Sequence, residues 1–227
     1  MCLSTSKFED FISELLNRIF QMIDTLSTEI SDALIITPTV PKTEDYQIGL
    51  GLTAMISCIV QQCSKNIFQM IREKITNFLA TYSFSRRVNQ LLTSLVQAMI
   101  KGNPIETLKY LLPQTCERIE KILVQSETSI LTDHKGDSEL TWCLILFSEL
   151  MSARGDTLII YKSMILSVFE RCIHIVHKDS YEAMGKAAKY LLKSLSYVYP
   201  IEYRLTVENI EEPFLDFLPI RVSDDHC

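Results

Sequence analysis

Two histidines and a cysteine at positions 172–177 form a grouping of residue types that bind metals. His174 and His177 are three residues apart, and Cys172 lies two residues before the first histidine. On the helix predicted for this segment, residues three apart share a face, so the two histidines can approach one metal ion. Cys172 lies roughly 160° around that helix from His174 and does not complete the site. We therefore expect an ordinary, partly exposed histidine pair and no metal ligand.

The seven cysteines have the odd number and irregular spacing of free thiols. Cys58 and Cys63 are five residues apart, unlike a Cys-x-x-Cys redox or metal pair, and we expect both to be buried as small apolar residues. A Cys–His nucleophile pair remains an open alternative, although no local signature supports one. The cysteines predict free thiols in a reducing compartment.

Motifs for phosphate binding, hydrolysis and metalloprotease chemistry are absent from the sequence. It has no Gly-x-x-x-x-Gly-Lys loop, no Gly-x-Gly-x-x-Gly, no Gly-x-Ser-x-Gly elbow and no His-Glu-x-x-His helix. We attribute Gly49 and Gly51 to close helix packing, the pair Arg86-Arg87 to a solvated surface, and the carboxylates of residues 208–225 to solvated charge. The sequence predicts no catalytic, cofactor-binding or metal-ligating residue, no cofactor and no enzyme activity.

The composition is that of a globular chain. Of 227 residues, 47% are hydrophobic and 22% are charged, with 22 basic and 28 acidic side chains and a net charge of −6. This acidity argues against a nucleic-acid surface, and 6 glycines with 7 prolines disfavour a turn-rich β-sandwich. No apolar run approaches the roughly 18 residues of a membrane span, and no signal peptide is evident at Met1. We expect a soluble, intracellular, mostly helical protein without nucleic-acid or membrane partners.

Apolar residues recur at three- and four-residue steps, which predicts a series of amphipathic helices. The predicted helices cover residues 8–30, 46–63, 64–82, 85–102, 104–123, 138–155, 156–177 and 180–199. The predicted N-caps are Ser6, Ser64, Asn103 and Ser138, and the predicted terminating glycines are Gly102 and Gly155. We expect Pro113 to bend the fifth helix, and Trp142 to lie in the core. Linkers are predicted near residues 35–45 and 125–137, with an extended tail at 201–227.

These helices recur in pairs about every 40 to 50 residues, the period of HEAT and armadillo repeats. We predict an all-α fold, an α-solenoid of HEAT/armadillo-like antiparallel helix pairs over residues 1–200, in which each pair buries its face against the next. A closed helical bundle is the alternative, because helices of similar length also suit one central core.

Eight short stretches, in order along almost the whole chain, carry a resemblance to a known family. They are Phe8-Glu9-Asp10-Phe11, Leu50-Gly51-Leu52, Gln62-Cys63-Ser64-Lys65-Asn66-Ile67-Phe68, Arg87-Val88, Glu106-Thr107-Leu108-Lys109, Glu139-Leu140-Thr141-Trp142, Tyr197-Val198-Tyr199-Pro200-Ile201-Glu202-Tyr203 and Phe217-Leu218-Pro219-Ile220. These stretches resemble the middle HEAT-repeat region of the proteasome activator complex subunit 4 family. They are mostly packing and turn residues, so they identify a region of the family and no functional site.

The resemblance implies a fold and a function. Members of that family are much longer chains that form a closed α-solenoid dome, cap the proteasome core particle, and promote ubiquitin- and ATP-independent degradation, including that of acetylated histones. The implied localisation is nucleus and cytoplasm, and DNA repair is an implied process. The family anchors through a penultimate tyrosine at its C-terminus, whereas this sequence ends Asp224-Asp225-His226-Cys227. The acetyl-lysine-reading module of the family also lies downstream of the matched region.

The leading hypothesis is that this chain is a segment, or a truncated relative, of such an activator and supplies part of the dome wall. Its partners would then be the proteasome core particle, through the full-length protein, and substrates such as acetylated histones. The alternative is a different HEAT-repeat scaffold or transport adaptor that binds peptides or helices, since solenoids offer such surfaces generally. An unrecognised Cys or His enzyme is the third hypothesis.

Overall fold

The computed structural model describes residues 5–28, 43–81, 86–125 and 137–196. Within these ranges the regular elements are helical and no strand occurs. A 3-10 turn at Ile159–Tyr161 joins the short helix Gly155–Leu158 to the helix Lys162–Cys172. Residues 155–172 therefore correspond to the seventh of the eight predicted helices, interrupted by this turn. The helices are α1 (Thr5–Thr28), α2 (Thr43–Gln62), α3 (Lys65–Thr81), α4 (Arg86–Gly102), α5 (Pro104–Gln125), α6 (Ser138–Leu150), α7 (Gly155–Leu158), α8 (Lys162–Cys172) and α9 (Lys178–Leu195).

The helices form two rows, because most of them pack on the helix that lies next but one along the chain. In the first row, α1 packs on α3, and α5 packs on α7 and α8; in the second row, α2 packs on α4, α4 on α6, and α6 on α9. Contacts of α4 with α1, α3 and α5, and of α5 with α6, hold the rows together. Stacking of successive helix pairs in two rows is the arrangement of an α-solenoid and confirms the predicted fold class.

Side chains of the first row join its members in turn. The joining contacts are the stacked rings of Phe20 and Phe78, the ion pair of Arg72 with Glu106, and the ion pair of Arg171 with Glu120. The Phe rings lie 4.3 Å apart, and the Arg72 guanidinium lies 3.5 Å from the centre of the Tyr110 ring. Arg72 is 6% exposed, and its buried charge is compensated by the Glu106 carboxylate and by the face of the Tyr110 ring.

The apolar core runs continuously between the two rows. Trp142 is fully buried, as predicted, and Phe147 makes an edge contact with Phe169 of α8 at a centroid distance of 5.6 Å. The largest fully buried side chains are Trp142, Phe147, Ile12, Leu16, Ile23, Ile56, Ile71, Ile75, Leu92, Leu95, Met99 and Leu108. No helix in the described ranges is both long enough and apolar enough to span a membrane.

Two of the predicted N-caps are confirmed by their hydrogen bonds. The Ser64 hydroxyl accepts from the Ile67 amide at 3.4 Å, and α3 begins one residue later. The Asn103 side chain accepts from the Glu106 amide at 3.2 Å, with Pro104 as the first residue of α5. Each cap satisfies an amide that has no partner within its own helix.

Two other predicted N-caps are wrong. Asp137, and not Ser138, caps α6, since its carboxylate accepts from the Leu140 amide at 2.7 Å. Ser6 lies inside α1, which includes Thr5. A short polar side chain signals that a helix start is near, but the choice between adjacent candidates depends on which side chain reaches the free amides.

Several predicted helix boundaries also differ from the structure. The sixth helix ends at Leu150, and Gly155 begins α7 instead of closing α6. Helix α2 begins at Thr43, inside the predicted linker, and α9 ends at Leu195. Helix α5 is continuous through Pro113, because buried residues before and after the proline hold one face of the helix in the core.

The roles predicted for Gly102, as a helix-terminating cap, and for Gly51, as a site of close packing, are both wrong. Gly102 has no left-handed backbone conformation and lies within α4, so it is not a C-terminal cap. A Cβ atom at Gly102 would lie 2.1 Å from Val60 Cγ1, which shows that α2 and α4 approach closely there. Gly51 is exposed and has no atom within 4 Å of an added Cβ, so close packing does not explain it.

The remaining sequence predictions fall outside the described residues. These are the linker residues 29–42 and 126–136, the tail 201–227 with its acidic side chains, the surroundings of Gly49, and the side chains of Arg86 and Arg87.

Candidate functional site

The two histidines do not share a helix face. Helix α8 ends at Cys172, and residues 173–177 lead through a turn into α9, so the predicted helical pairing of His174 with His177 is wrong. His174 is exposed, whereas His177 precedes α9 and places Nδ1 3.0 Å from the Ser180 hydroxyl. The described ranges hold no group of three or more His, Cys, Asp or Glu side chains arranged for a metal ion.

His177 belongs to a small polar cluster between α6 and α9. The hydroxyls of Thr141 and Ser180 are hydrogen-bonded at 2.7 Å, and both residues are 1% exposed. The Thr141 hydroxyl also lies 2.7 Å from the backbone carbonyl of Asp137, which accepts from it. Because these groups satisfy one another, the cluster fixes α9 on α6.

The cysteines of the described residues are free thiols, and three of them are buried: Cys116, Cys143 and Cys172. Burial raises the pKa of the Cys116 thiol to about 12 and those of Cys143 and Cys172 to about 11. Cys58 is exposed, so the prediction that it is buried is wrong, and Cys63 is half-buried. A nucleophilic cysteine needs a lowered pKa, and the shift at these three thiols has the opposite sign.

We predict a large difference in alkylation rate between exposed and buried thiols. At pH 8, a thiol of pKa about 12 is about one part in ten thousand thiolate, and the thiolate is the reactive species. Iodoacetamide should therefore modify Cys58 at least 100-fold faster than Cys116 in the folded chain, as measured by peptide mass spectrometry. Urea should equalise the two rates, and rapid labelling of Cys116 without urea would contradict the buried assignment.

A polar groove lies along the second row, where α4, α6 and α9 are neighbours. Its volume is about 350 Å³. The lining residues are Asn89, Gln90, Thr93, Ile145, Ser148, Glu149, Asp179, Glu182, Ala183 and Lys186. Three carboxylates and one ammonium group contribute to this lining, so the groove is acidic.

Glu149 anchors this groove. Its carboxylate is fully buried, accepts from Gln97 Nε2 of α4 at 2.7 Å, and forms an ion pair with Lys186 of α9. A buried carboxylate is costly without such partners, so the three residues hold α4, α6 and α9 in one register. The Oδ1 atom of Asn89, in the groove lining, is buried without a hydrogen-bond partner.

Sequence reasoning missed the Gln97–Glu149–Lys186 network. A signal was present, because Glu149 is an acidic residue in an otherwise apolar run that the periodicity predicts to be buried. The identity of its partners was not accessible, since Gln97 is 52 residues and Lys186 is 37 residues away along the chain.

The groove offers hydrogen-bonding groups and net negative charge, which suit contact with a basic or amide-rich polypeptide. The two stacked rows and this surface define the chain as a segment of an α-solenoid of the HEAT-repeat class.

The chain is similar in sequence to one family of HEAT-repeat proteins along almost its whole length. The family described as proteasome activator complex subunit 4, mid HEAT repeats region, matches residues 1–215. The chain is 31% identical to proteasome activator complex subunit 4 of Xenopus laevis, 29% to that of Homo sapiens, and 31% to subunit 4A of Danio rerio. The chain belongs to the proteasome activator complex subunit 4 family, in its mid HEAT-repeat region.

The match covers only part of each relative. In all three cases it extends over 222 residues, which is 97% of this chain and 12% of the relative.

Proposed function

We propose that this chain forms part of the wall of a HEAT-repeat proteasome activator and supplies scaffold, not catalysis. The observation that carries the proposal is the family match over residues 1–215, together with helix rows that stack from α1 to α9. In a solenoid each repeat contacts only its neighbours, so a middle segment contributes by holding the repeats on either side in position. Activation of the proteasome core particle is then a property of the whole protein.

We further propose that the whole protein promotes degradation without ubiquitin or ATP, and that acetylated histones are among its substrates in nucleus and cytoplasm. The support for these finer points is the family membership. The groove lining is compatible with basic substrates through the carboxylates of Asp179 and Glu182, whereas Glu149 is buried and paired with Lys186.

The test uses the intact protein that contains this chain. It should co-sediment with purified proteasome core particles and increase hydrolysis of a fluorogenic peptide in buffer without ATP. Gly102→Ala should weaken both effects, because it disturbs the contact of α2 with α4, whereas Gly51→Ala should leave both unchanged. If the unmodified protein neither bound core particles nor stimulated peptide hydrolysis, the proposal would be overturned.

The substrate proposal has its own readout. Acetylated core histones should disappear faster than unacetylated ones when core particles and the intact protein are incubated together without ubiquitin or ATP. Equal rates for the two histone forms, with peptide hydrolysis still stimulated, would reject the histone proposal and retain the scaffold proposal.

A further inference from the structure

A stripe of small and large apolar residues lies on α9, which is the last helix of the second row in the described ranges. Tyr181, Gly185, Ala188 and Leu192 follow at steps of four, three and four residues, so they share one face of the helix. Tyr181 is 64% exposed and Leu192 is 47% exposed. A Cβ atom added at Gly185 would have no atom within 4 Å, so the middle of this α9 stripe is open.

The first helix of the second row, α2, carries a stripe with the same spacing. Gly51, Met55, Cys58 and Gln62 also follow at steps of four, three and four residues, and all four are exposed. A Cβ atom added at Gly51 would likewise have no atom within 4 Å. The sequence has no charged residue at positions 46–62, so this α2 stripe lacks the charges that are usual on a solvated helix face.

Neighbouring helices of the second row run parallel. Gly102, at the end of α4, lies against Val60, near the end of α2. The hydroxyls of Thr141 and Ser180 join the starts of α6 and α9. Near the ends of these two helices, the Ser194 hydroxyl donates to the backbone carbonyl of the residue that follows α6. A further helix that extends the row beyond α9 would therefore run parallel to α9.

The two stripes are complementary in size when α2 of a second copy is placed parallel to α9. Because their spacing is the same, Tyr181 comes level with Gly51, and Gly185 comes level with Met55. A large side chain then faces a glycine at each of these levels, which lets the two helices approach closely.

The charged residues beside the α9 stripe are compatible with this pairing. Lys178, Glu182, Lys189 and Lys193 are exposed and lie roughly 60° to 120° around the helix from Tyr181. Because α2 has no charged residue at positions 46–62, none of these four side chains meets a like charge on that stretch. Two α9 helices placed against each other would instead bring both sets of lysines together, which disfavours a symmetric α9 pair.

We infer that copies of this chain associate end to end, with the α9 stripe of one copy packed parallel on the α2 stripe of the next. The contact continues the second row from one copy into the next. It joins two different surfaces, so every added copy presents a new free stripe and the assembly is open-ended. A single helix pair is a small interface, and we therefore expect association at about 10 to 100 µM protein. This association is independent of the proposed function.

Sedimentation velocity of the full 227-residue chain tests the pairing. From about 1 to 200 µM protein, the weight-average mass should rise past that of two copies without a plateau. Leu192→Glu on α9 and Met55→Glu on α2 should each keep the chain monomeric over this range. Ile105→Glu, at an exposed apolar position of α5, should leave the association unchanged. An equimolar mixture of Leu192→Glu and Met55→Glu should form dimers and nothing larger, because each variant keeps only one intact stripe.

Cysteine cross-linking tests the register. In the parallel pairing Ala188 faces Cys58 of the next copy, and Cys58 is an exposed free thiol. Oxidation of Ala188→Cys with copper phenanthroline in air should give a ladder of disulfide-linked copies, about tenfold faster than for Val124→Cys. Val124 is a matched position, since it is exposed on α5 and belongs to neither stripe. Adding Cys58→Ser to Ala188→Cys should abolish the ladder.

Several results would overturn the inference. A chain that stays monomeric at the highest concentration would show that the stripes do not pair. A mass that stops at two copies would indicate a symmetric dimer, and a mixture of the two Glu variants that stays monomeric would reject the contact of α9 with α2. A ladder that survives Cys58→Ser would reject the parallel register.

Discussion

Replacing Lys186 with methionine is expected to lower the free energy of unfolding by about 3 kcal/mol, because it removes the ionic partner of a fully buried carboxylate. Glu149 would keep only the Gln97 amide as a side-chain partner, which does not offset the cost of a buried charge. Lys186 is partly exposed, so the expected loss lies at the lower end of the range for broken buried pairs. Urea denaturation followed by circular dichroism measures the change.

The double variant Lys186→Met with Glu149→Met is the informative control. Removing both charges should recover most of the lost stability, since two apolar side chains of similar size replace a pair that is costly to bury. As a surface comparison, Lys121→Met breaks an exposed ion pair with Glu117 and should leave the stability almost unchanged, because water and salt screen that pair. A loss of similar size in Lys121→Met and Lys186→Met would contradict the role assigned to the buried network.

Gly102→Ala is expected to destabilise the chain by about 2 to 3 kcal/mol, which is opposite to the usual effect of replacing a helical glycine by alanine. The added methyl group would lie 2.1 Å from Val60 Cγ1 and 2.9 Å from Val60 Cβ. Val60 is β-branched and 4% exposed, so it cannot rotate away, and α2 and α4 must separate. Thermal and urea unfolding of the variant measure the effect.

Gly51→Ala is the matched control, because the same substitution is made at an exposed site of α2. It should stabilise the chain by about 0.5 to 1 kcal/mol, since the new methyl group contacts nothing and alanine favours the helix. In the Gly102→Ala background, Val60→Ala should cost less than it costs alone, because it removes the clashing methyl groups. Additive effects of Gly102→Ala and Val60→Ala would show that the two residues do not limit the approach of the helices.

The helices themselves were predictable because their causes are local. Apolar spacing and short polar caps such as Ser64 and Asn103 act within one or two turns, and the structure confirms both caps. The failures arose where adjacent candidates competed for one role, as with Asp137 and Ser138 at the start of α6. The break of the seventh helix at residues 159–161 and its end at Cys172 carry no distinct local signal.

The candidate site was not predictable, because its members come from three helices. Gln97, Glu149 and Lys186 meet only when α4, α6 and α9 stack in the second row. The close approach of α2 and α4 at Gly102 was not predictable for the same reason. The sequence around Gly102 is also that of a helix-terminating glycine, and only the tertiary structure places Val60 against it.

The sequence by itself determined that this chain is a series of amphipathic helices with free thiols, and its order of packing residues was sufficient to indicate the family. Those properties depend on periodicity, capping and composition, which are local or additive. Only the tertiary structure decided that the helices stack in two rows, that the buried Glu149 pairs with Lys186, and that Tyr181 and Leu192 of α9 are exposed. These are contacts between residues far apart in the chain, and their energies depend on distance and burial, which no single segment specifies.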